Sequence, residues 1–198
     1  MMRVLVRHFE APIISKREVL RYAGVRGEAD AALLSLLEDC LAEACEGLSY
    51  RVCYTEHTVK VTDDGLALGY ATVNSTDLVR CLAGCDRAVT FVATVGALPD
   101  RMVTRYGAVA PTRALLHQAL GAERIEALCD AFLLSLATEQ GLSLCPRFSP
   151  GYGDLSLAVL GDIFRVLAPE RHIGVSLTDA LLMTPTKSVT AIVGIKKE

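Results

Sequence analysis

Eight residues in the last third of the chain, Arg147-Phe148-Ser149-Pro150-Gly151-Tyr152-Gly153-Asp154, gather a guanidinium, a phenol and a carboxylate around a Pro-Gly turn. Pro150 pre-sets φ at about −65°, and Gly151 takes the positive φ that the next turn position demands. A turn built this way can aim the Arg147 and Tyr152 side chains at one point. Arginine offers a planar fork to a carboxylate or phosphate, and tyrosine an aromatic face with one hydroxyl. The pair suits a small ligand that carries a carboxylate and a flat ring. The alternative is a structural turn whose Arg147 is simply solvated.

Other stretches carry groups of interest. Thr94-Val95-Gly96-Ala97-Leu98-Pro99-Asp100-Arg101 follows an apolar run and opens a helix, a position suited to an anion or a ligand edge. It holds one glycine, so it is neither a dinucleotide fingerprint nor a P-loop. Helix capping and a wall of a ligand site both stay open. Thr184-Pro185-Thr186-Lys187-Ser188 is polar between two apolar runs. It is either a hairpin connection or a turn that sets Lys187 beside the Arg147 loop as a second cation. His8, His57, His117 and His172 are scattered, none at ligand spacing from a Cys, Asp or Glu, and no serine sits in a nucleophile elbow. Neither a catalytic residue nor a metal site is expected, and His57 reads as an exposed strand residue. Of the seven cysteines (Cys40, Cys45, Cys53, Cys81, Cys85, Cys129 and Cys145), Cys40/Cys45 and Cys81/Cys85 fall at helical spacing rather than the two-residue gap of a zinc knuckle. Free, buried thiols acting as small hydrophobes are expected.

The elements that must position these groups follow from periodicity and punctuation. Ser15-Lys16-Arg17-Glu18 is a capping box, which predicts a short helix to Tyr22 ending at Gly24. A second helix is predicted over 28–46, with Leu33, Leu34, Leu37, Cys40, Leu41, Ala44 and Cys45 on one face and Gly47 as its C-cap. Strands are expected over 51–61 and 66–72 around Asp63-Asp64-Gly65, and the first residues, Met1 to Leu5, read as a strand. Asn74 or Ser75 caps a short helix ending near Gly84. The apolar, β-branched run 88–95 is a central strand closed by Gly96, and a helix over 99–106 follows. The longest helix covers 112–140, with a possible break near Gly121; Leu128, Ala131, Phe132, Leu134 and Leu136 make it apolar nearly all round, as in a central buried helix. Asp154 is expected to cap a helix through Ile163 that stops at Pro169. Strands are expected at 173–176 and 181–183, then at 188–195 with Val189, Ala191, Val193 and Ile195 alternating. Helices interleave with strands without a βαβ rhythm, so the fold class is α+β, with a largely antiparallel mixed sheet packed with helices.

Four segments in order resemble the activation domain of cobalamin-dependent methionine synthase, in a short stand-alone form. They are 15–24, the stretch Thr90-Phe91-Val92-Ala93-Thr94-Val95-Gly96 with Asp100-Arg101, the Arg147 loop followed by Leu157 and Asp162-Ile163-Phe164-Arg165, and the run from Thr184 to Ile195. The resemblance spans nearly the whole chain and implies one activation-domain-like unit, 1–198. It implies binding of S-adenosylmethionine and docking on a corrinoid-carrying protein, whose cobalamin is restored by reduction and methyl transfer. The family's Arg-x-x-x-Gly-Tyr loop falls on Arg147, Gly151 and Tyr152. The ligand groove so implied is built from Arg147, Phe148, Pro150, Gly151, Tyr152 and Asp154, with Lys187 as the added cation. Two features depart from the family. Its early acidic ligand contact has no counterpart in this chain, and Gly153-Asp154-Leu155 replaces a Pro-containing segment after Gly151-Tyr152.

Composition bounds the remaining possibilities. At 198 residues the chain is long enough to bury a core without disulfides. Its 52% hydrophobic content and mean hydropathy of +0.36 point to deep burial or a partner surface. No apolar run reaches the ~18 residues of a bilayer span, so no membrane association is expected. Net charge −3 with no basic cluster beyond Lys196-Lys197 argues against nucleic acid. The N-terminus lacks a signal-peptide pattern, which makes a cytoplasmic protein the expectation. Three functions stay in play: an S-adenosylmethionine-binding activation module for a corrinoid methyltransferase, a ligand-free module that docks on a corrinoid protein or forms a homodimer, and an independent methyltransferase. The last lacks the Gly-rich loop of the common methyltransferase fold, and the corrinoid-binding Asp-x-His-x-x-Gly signature is absent.

Overall fold

A computed structural model describes residues 2–44 and 46–196; Met1, Cys45, Lys197 and Glu198 lie outside the described residues. In chain order the elements are β1 (Leu5–Phe9), α1 (Lys16–Tyr22), α2 (Ala31–Ala44), β2 (Tyr50–Thr58), β3 (Lys60–Thr62), β4 (Gly65–Ala67), β5 (Thr72–Val73) and α3 (Thr76–Cys81). They continue with β6 (Cys85–Thr94), α4 (Leu98–Tyr106), α5 (Pro111–Gln140), α6 (Val159–Leu167), α7 (Pro169–Ile173), β7 (Ser176–Leu177), β8 (Met183–Thr184) and β9 (Ser188–Lys196). Every pairing is antiparallel. The main sheet has the order β1-β2-β6-β9, with a small β3-β4-β5 sheet and the β7-β8 ribbon beside it.

Strand β6 is central because both of its faces are apolar and both are covered. Side chains alternate across a strand with period two. Val89, Phe91, Ala93 and Val95 therefore join Tyr50, Val52 and Tyr54 of β2 and Ala191 and Val193 of β9 against the second half of α5, where Ile125, Leu128, Phe132 and Leu136 are buried. Ala88 and Val92 join Cys53 and Ile192 on the opposite face, under Leu66, Leu78, Leu155, Ile163 and Leu167. The first half of α5 packs Leu116, Ala119 and Leu120 on Val19 of α1 and Leu37 and Leu41 of α2. One 30-residue helix thus meets the sheet at one end and two helices at the other, which explains its nearly all-round apolar surface.

That helix runs unbroken through Gly121, contrary to the expected break. A Cβ at Gly121 would lie 2.9 Å from Pro99 Cβ and 2.9 Å from Lys187 Cγ. The glycine serves close packing of α4 and the turn before β9. Gly141 ends α5 in the left-handed conformation, as its position predicts.

Local signals hold elsewhere, with physical exceptions. Ser15 caps α1 through the Glu18 amide, but the reciprocal half of the box is missing, because Glu123 Oε1 accepts the Ser15 N–H at 3.0 Å. Helix α2 starts three residues later than expected, where Asp30 Oδ1 accepts from the Leu33 amide at 2.8 Å. The strand expected over 51–61 divides at Val59: β2 belongs to the main sheet and β3 to the small one. The expected strand 173–176 is the end of α7, closed by left-handed Gly174, with β7 following. Cys85 lies in β6 rather than one helical turn beyond Cys81. Beyond β9, segment 143–148 acts as a short fifth strand: Cys145 N donates to Gly194 O at 2.9 Å, and Phe148 and Ile192 exchange two bonds of 2.9 and 2.8 Å.

Candidate functional site

The pairing of 143–148 with β9 delivers Arg147 and Phe148 to the sheet edge, and the chain then folds back on itself. The Tyr152 amide donates to Ser149 O at 3.1 Å, Leu155 N to Tyr152 O at 3.1 Å, and Gly151 N to Leu155 O at 2.9 Å. Two consecutive turns of this kind need left-handed residues, supplied by Gly151 at φ 89° and Gly153 at φ 53°. Leu155 is buried in the core below. Asp154 does not cap its own downstream helix, as the sequence suggested. Its carboxylate accepts the Ser75 hydroxyl, the Thr76 amide at 2.7 Å and the Asp77 amide at 3.2 Å, reinforcing the N-terminus of α3. These donors, led by Ser75, hold the exposed Asp154 carboxyl below the usual range. The loop is therefore clamped at both flanks, with Tyr152 at its tip, 71% exposed.

A cleft of about 680 Å³ opens beside this loop. Arg147, Phe148, Pro150 and Tyr152 form one wall, Leu157 and Leu160 the approach to α6, and Leu181, Leu182 and Met183 the opposite lip. Ser188 and Thr190 of β9 form the floor, and Glu126 of α5 the back. The volume falls within the range of about 300–1,000 Å³ common for small-molecule sites, and so does the balance of apolar walls with few polar groups.

The polar groups converge at the back. Arg147 Nη2 donates to Glu126 Oε2 at 2.7 Å and to Asp130 Oδ1 at 3.4 Å. Burial opposes the guanidinium charge, but the Glu126 hydrogen bond and the two acids outweigh it and raise its pKa. One cation beside two carboxylates leaves a local excess of negative charge. The floor adds an open strand edge. Ile192 turns both its backbone groups toward Phe148, so by the period of two Thr190 turns its N–H and C=O the same way. There the fifth strand has already ended, and those groups face the cleft.

The sequence-predicted residues divide accordingly. Arg147, Phe148, Pro150 and Tyr152 come together on one wall, whereas Gly151 shapes the turn and Asp154 anchors it from outside. Lys187 points elsewhere. Thr186 and Ser188 on either side of it line the cleft, and alternation sends the Lys187 stem onto Gly121 and toward Asp100. Burial lowers its pKa, partly countered by Asp100. Asp100 also accepts the Thr186 amide at 2.9 Å, so the 94–101 segment fixes the turn before β9. Glu126 and Asp130 escaped the sequence reading. Their spacing of four on a helix otherwise apolar nearly all round was the signal for them.

The histidines change character in the fold. His57 is buried rather than exposed: its Nδ1 lies 3.2 Å from Thr58 O and its Nε2 2.7 Å from Thr90 Oγ1, with Tyr70 OH 3.0 Å beyond. Burial lowers its pKa. His117, also buried, stacks on Tyr106 and meets Glu43 at 3.1 Å, a partner 74 positions away. Among the described residues, no group of three or more His, Cys, Asp or Glu could hold a metal ion, and no helix is long and apolar enough to cross a membrane.

No family model matches the sequence, and no curated protein matches it. Among solved structures the chain is similar to the MetH reactivation domain, crystallised bound to AdoHcy, with a TM-score of 0.70 over 98% of this chain and 78% of that one. The two sequences are 14% identical over the alignment. The α+β architecture of this chain is the fold of that reactivation domain.

Proposed function

We propose that the chain is a single activation-domain-like unit that binds S-adenosylmethionine in the Arg147–Tyr152 cleft and serves a corrinoid-dependent methyltransferase in the cytoplasm. The observation that carries this reading is the convergence of Arg147, Phe148, Pro150 and Tyr152 on one cleft, in a fold shared with a domain crystallised with AdoHcy.

The residues present fit such a ligand. Arg147 suits the carboxylate of an amino-acid tail, and Glu126 and Asp130 beside it suit an ammonium or a sulfonium. Phe148, Leu160 and Met183 supply apolar surface, and the exposed Tyr152 ring supplies a face for a purine. The Thr190 edge offers one donor and one acceptor to a base. When bound, S-adenosylmethionine supplies a methyl group on a cationic sulfur, for transfer to the cobalt of a partner's cobalamin. The chain's part is to bind, orient and exclude water; no residue of the cleft is needed to move a proton. The open rim around Tyr152, Leu157 and Leu182, which are 71%, 41% and 64% exposed, suits docking of that partner.

A second reading has a specific observation behind it. Arg147 Nη2 is already engaged by Glu126 and Asp130, which suits a ligand-free module that docks through the same rim on a corrinoid protein or on a second copy. Calorimetry with S-adenosylmethionine and then S-adenosylhomocysteine separates the two. The excess negative charge predicts saturable binding with preference for the sulfonium. Absence of binding by both would leave the docking module.

A further inference from the structure

Behind the strand that carries Arg147, Cys85 Sγ and Cys145 Sγ lie 3.5 Å apart, although the residues are 60 positions apart in the chain. Cys85 opens β6 and Cys145 sits in segment 143–148, with β9 running between them. The sulfurs meet because the intervening residue of β9 is Gly194. A Cβ there would lie 2.7 Å from Cys85 Sγ and 3.3 Å from Cys145 Sγ, so any larger residue would claim the space they share. The β6–β9 register slips between Cys85 and Arg87, displacing Cys85 from the regular ladder. Cys145 is held over Gly194 by its own amide, which donates to Gly194 O at 2.9 Å. A third thiol, Cys81 at the end of α3, donates to Pro146 O at 3.5 Å. Cys81 and Cys85 are partly exposed, whereas Cys145 is buried.

We propose that Cys85 and Cys145 are a thiol–disulfide pair, closed by an oxidised low-molecular-weight thiol and reopened by a reduced one, which pins the Arg147-bearing strand to the start of β6. The accessible Cys85 thiolate attacks the small disulfide and releases one thiolate, leaving a mixed disulfide. Cys145 then attacks Cys85 Sγ and releases the second. The protein dithiol gives up two electrons and two protons, and the small disulfide becomes two thiols. Closure brings the sulfurs from 3.5 Å to about 2.0 Å, by side-chain rotation and a shift of a short edge strand. Burial and the contact with Cys145 raise the Cys85 thiol, so closure is slow at neutral pH and quickens as the pH rises. The pairing concerns the chain itself and stands whether or not the cleft takes S-adenosylmethionine.

The test is incubation of the folded full chain with oxidised glutathione at mildly alkaline pH, followed by blocking of free thiols and peptide mass mapping without reduction. The expected product is the chain lighter by two hydrogens, with Cys85 joined to Cys145, melting higher than the reduced form and restored by dithiothreitol. Cys81→Ser keeps the bridge, and Cys85→Ser abolishes it. Cys145→Ser leaves a glutathione adduct on Cys85; if that variant does not fold, the wild-type map and Cys85→Ser decide the matter. A lasting adduct on Cys85 in the wild type, a bridge that uses Cys81, or a folded chain that stays fully reduced would each overturn the proposal.

Discussion

Replacing Arg147 by alanine tests the cleft most directly, because its effects on binding and on folding are of different sizes. The guanidinium is 24% exposed at the side chain and bonds Glu126 at 2.7 Å. A hydrogen bond between charged groups contributes about 1.5–3 kcal/mol. A ligand carboxylate must share Arg147 with carboxylates already present, so about 2 kcal/mol is the expected loss of binding energy, roughly 30-fold in Kd. Folding loses less. The Glu126 and Asp130 side chains are 42% and 74% exposed, and ion pairs of that exposure contribute about 1 kcal/mol or less. For a chain of this length that is a Tm change of about 2–4 °C at most. Calorimetry with S-adenosylmethionine, alongside a thermal melt, reads both quantities. Affinity within about twofold of wild type would remove Arg147 from the ligand contacts, and weak binding accompanied by collapse of the melt would trace the effect to folding. Glu126→Gln sharpens the comparison: it should weaken S-adenosylmethionine more than S-adenosylhomocysteine, since both carry an ammonium but only the former adds a sulfonium charge for the carboxylate to meet.

Other residues make independent predictions. Phe132 touches the rings of Phe9, Tyr54 and Phe91 at centroid distances of 6.3, 5.1 and 5.0 Å in a fully buried site. Phe132→Ala should cost about 3–5 kcal/mol and lower Tm by about 6–20 °C, and a melt that barely moves would contradict the packing. Asp154 has a depressed pKa in the fold, so its contribution is present above its unfolded value of about 4 and is lost as pH falls through the folded one. The Tm gap between wild type and Asp154→Asn should therefore close on acidification; a gap independent of pH would refute the carboxylate's role. His57 is buried neutral with a lowered pKa, as is His117. Their contribution is present above about pH 6.5 and fades below it as the unfolded state takes up protons. Melting temperature should fall from about pH 6.5 toward 5, and His57→Gln should flatten part of that slope; an unchanged profile would mean His57 titrates normally.

The features legible from the residues alone are local ones. Ser15 and Ser75 mark helix starts because a hydroxyl two or three residues before free amides accepts their hydrogen bonds wherever the chain lies. Gly141 and Gly151 mark a helix end and a turn because positive φ disfavours a Cβ in any context. Alternation in β6 and β9 and the apolar surface of α5 encode the layers, since each period exposes a fixed face. Helices interleaved with strands without a βαβ rhythm carried the antiparallel α+β class, and the Pro150-Gly151 turn carried the Arg147 loop, to which the resemblance added a ligand. Tertiary structure decided which groups meet. Asp154 caps a helix that begins 78 positions earlier, Val59 divides one apolar run between two sheets, and His57 is buried because Thr90 and Tyr70 close over it. Glu126 reaches Arg147, and Lys187 turns away from it, only because β9 fixes the register of the strand beside it. Charges and hydrogen-bonding groups act over a few ångströms of space, and sequence distance is silent about such neighbours until the sheet brings remote segments together.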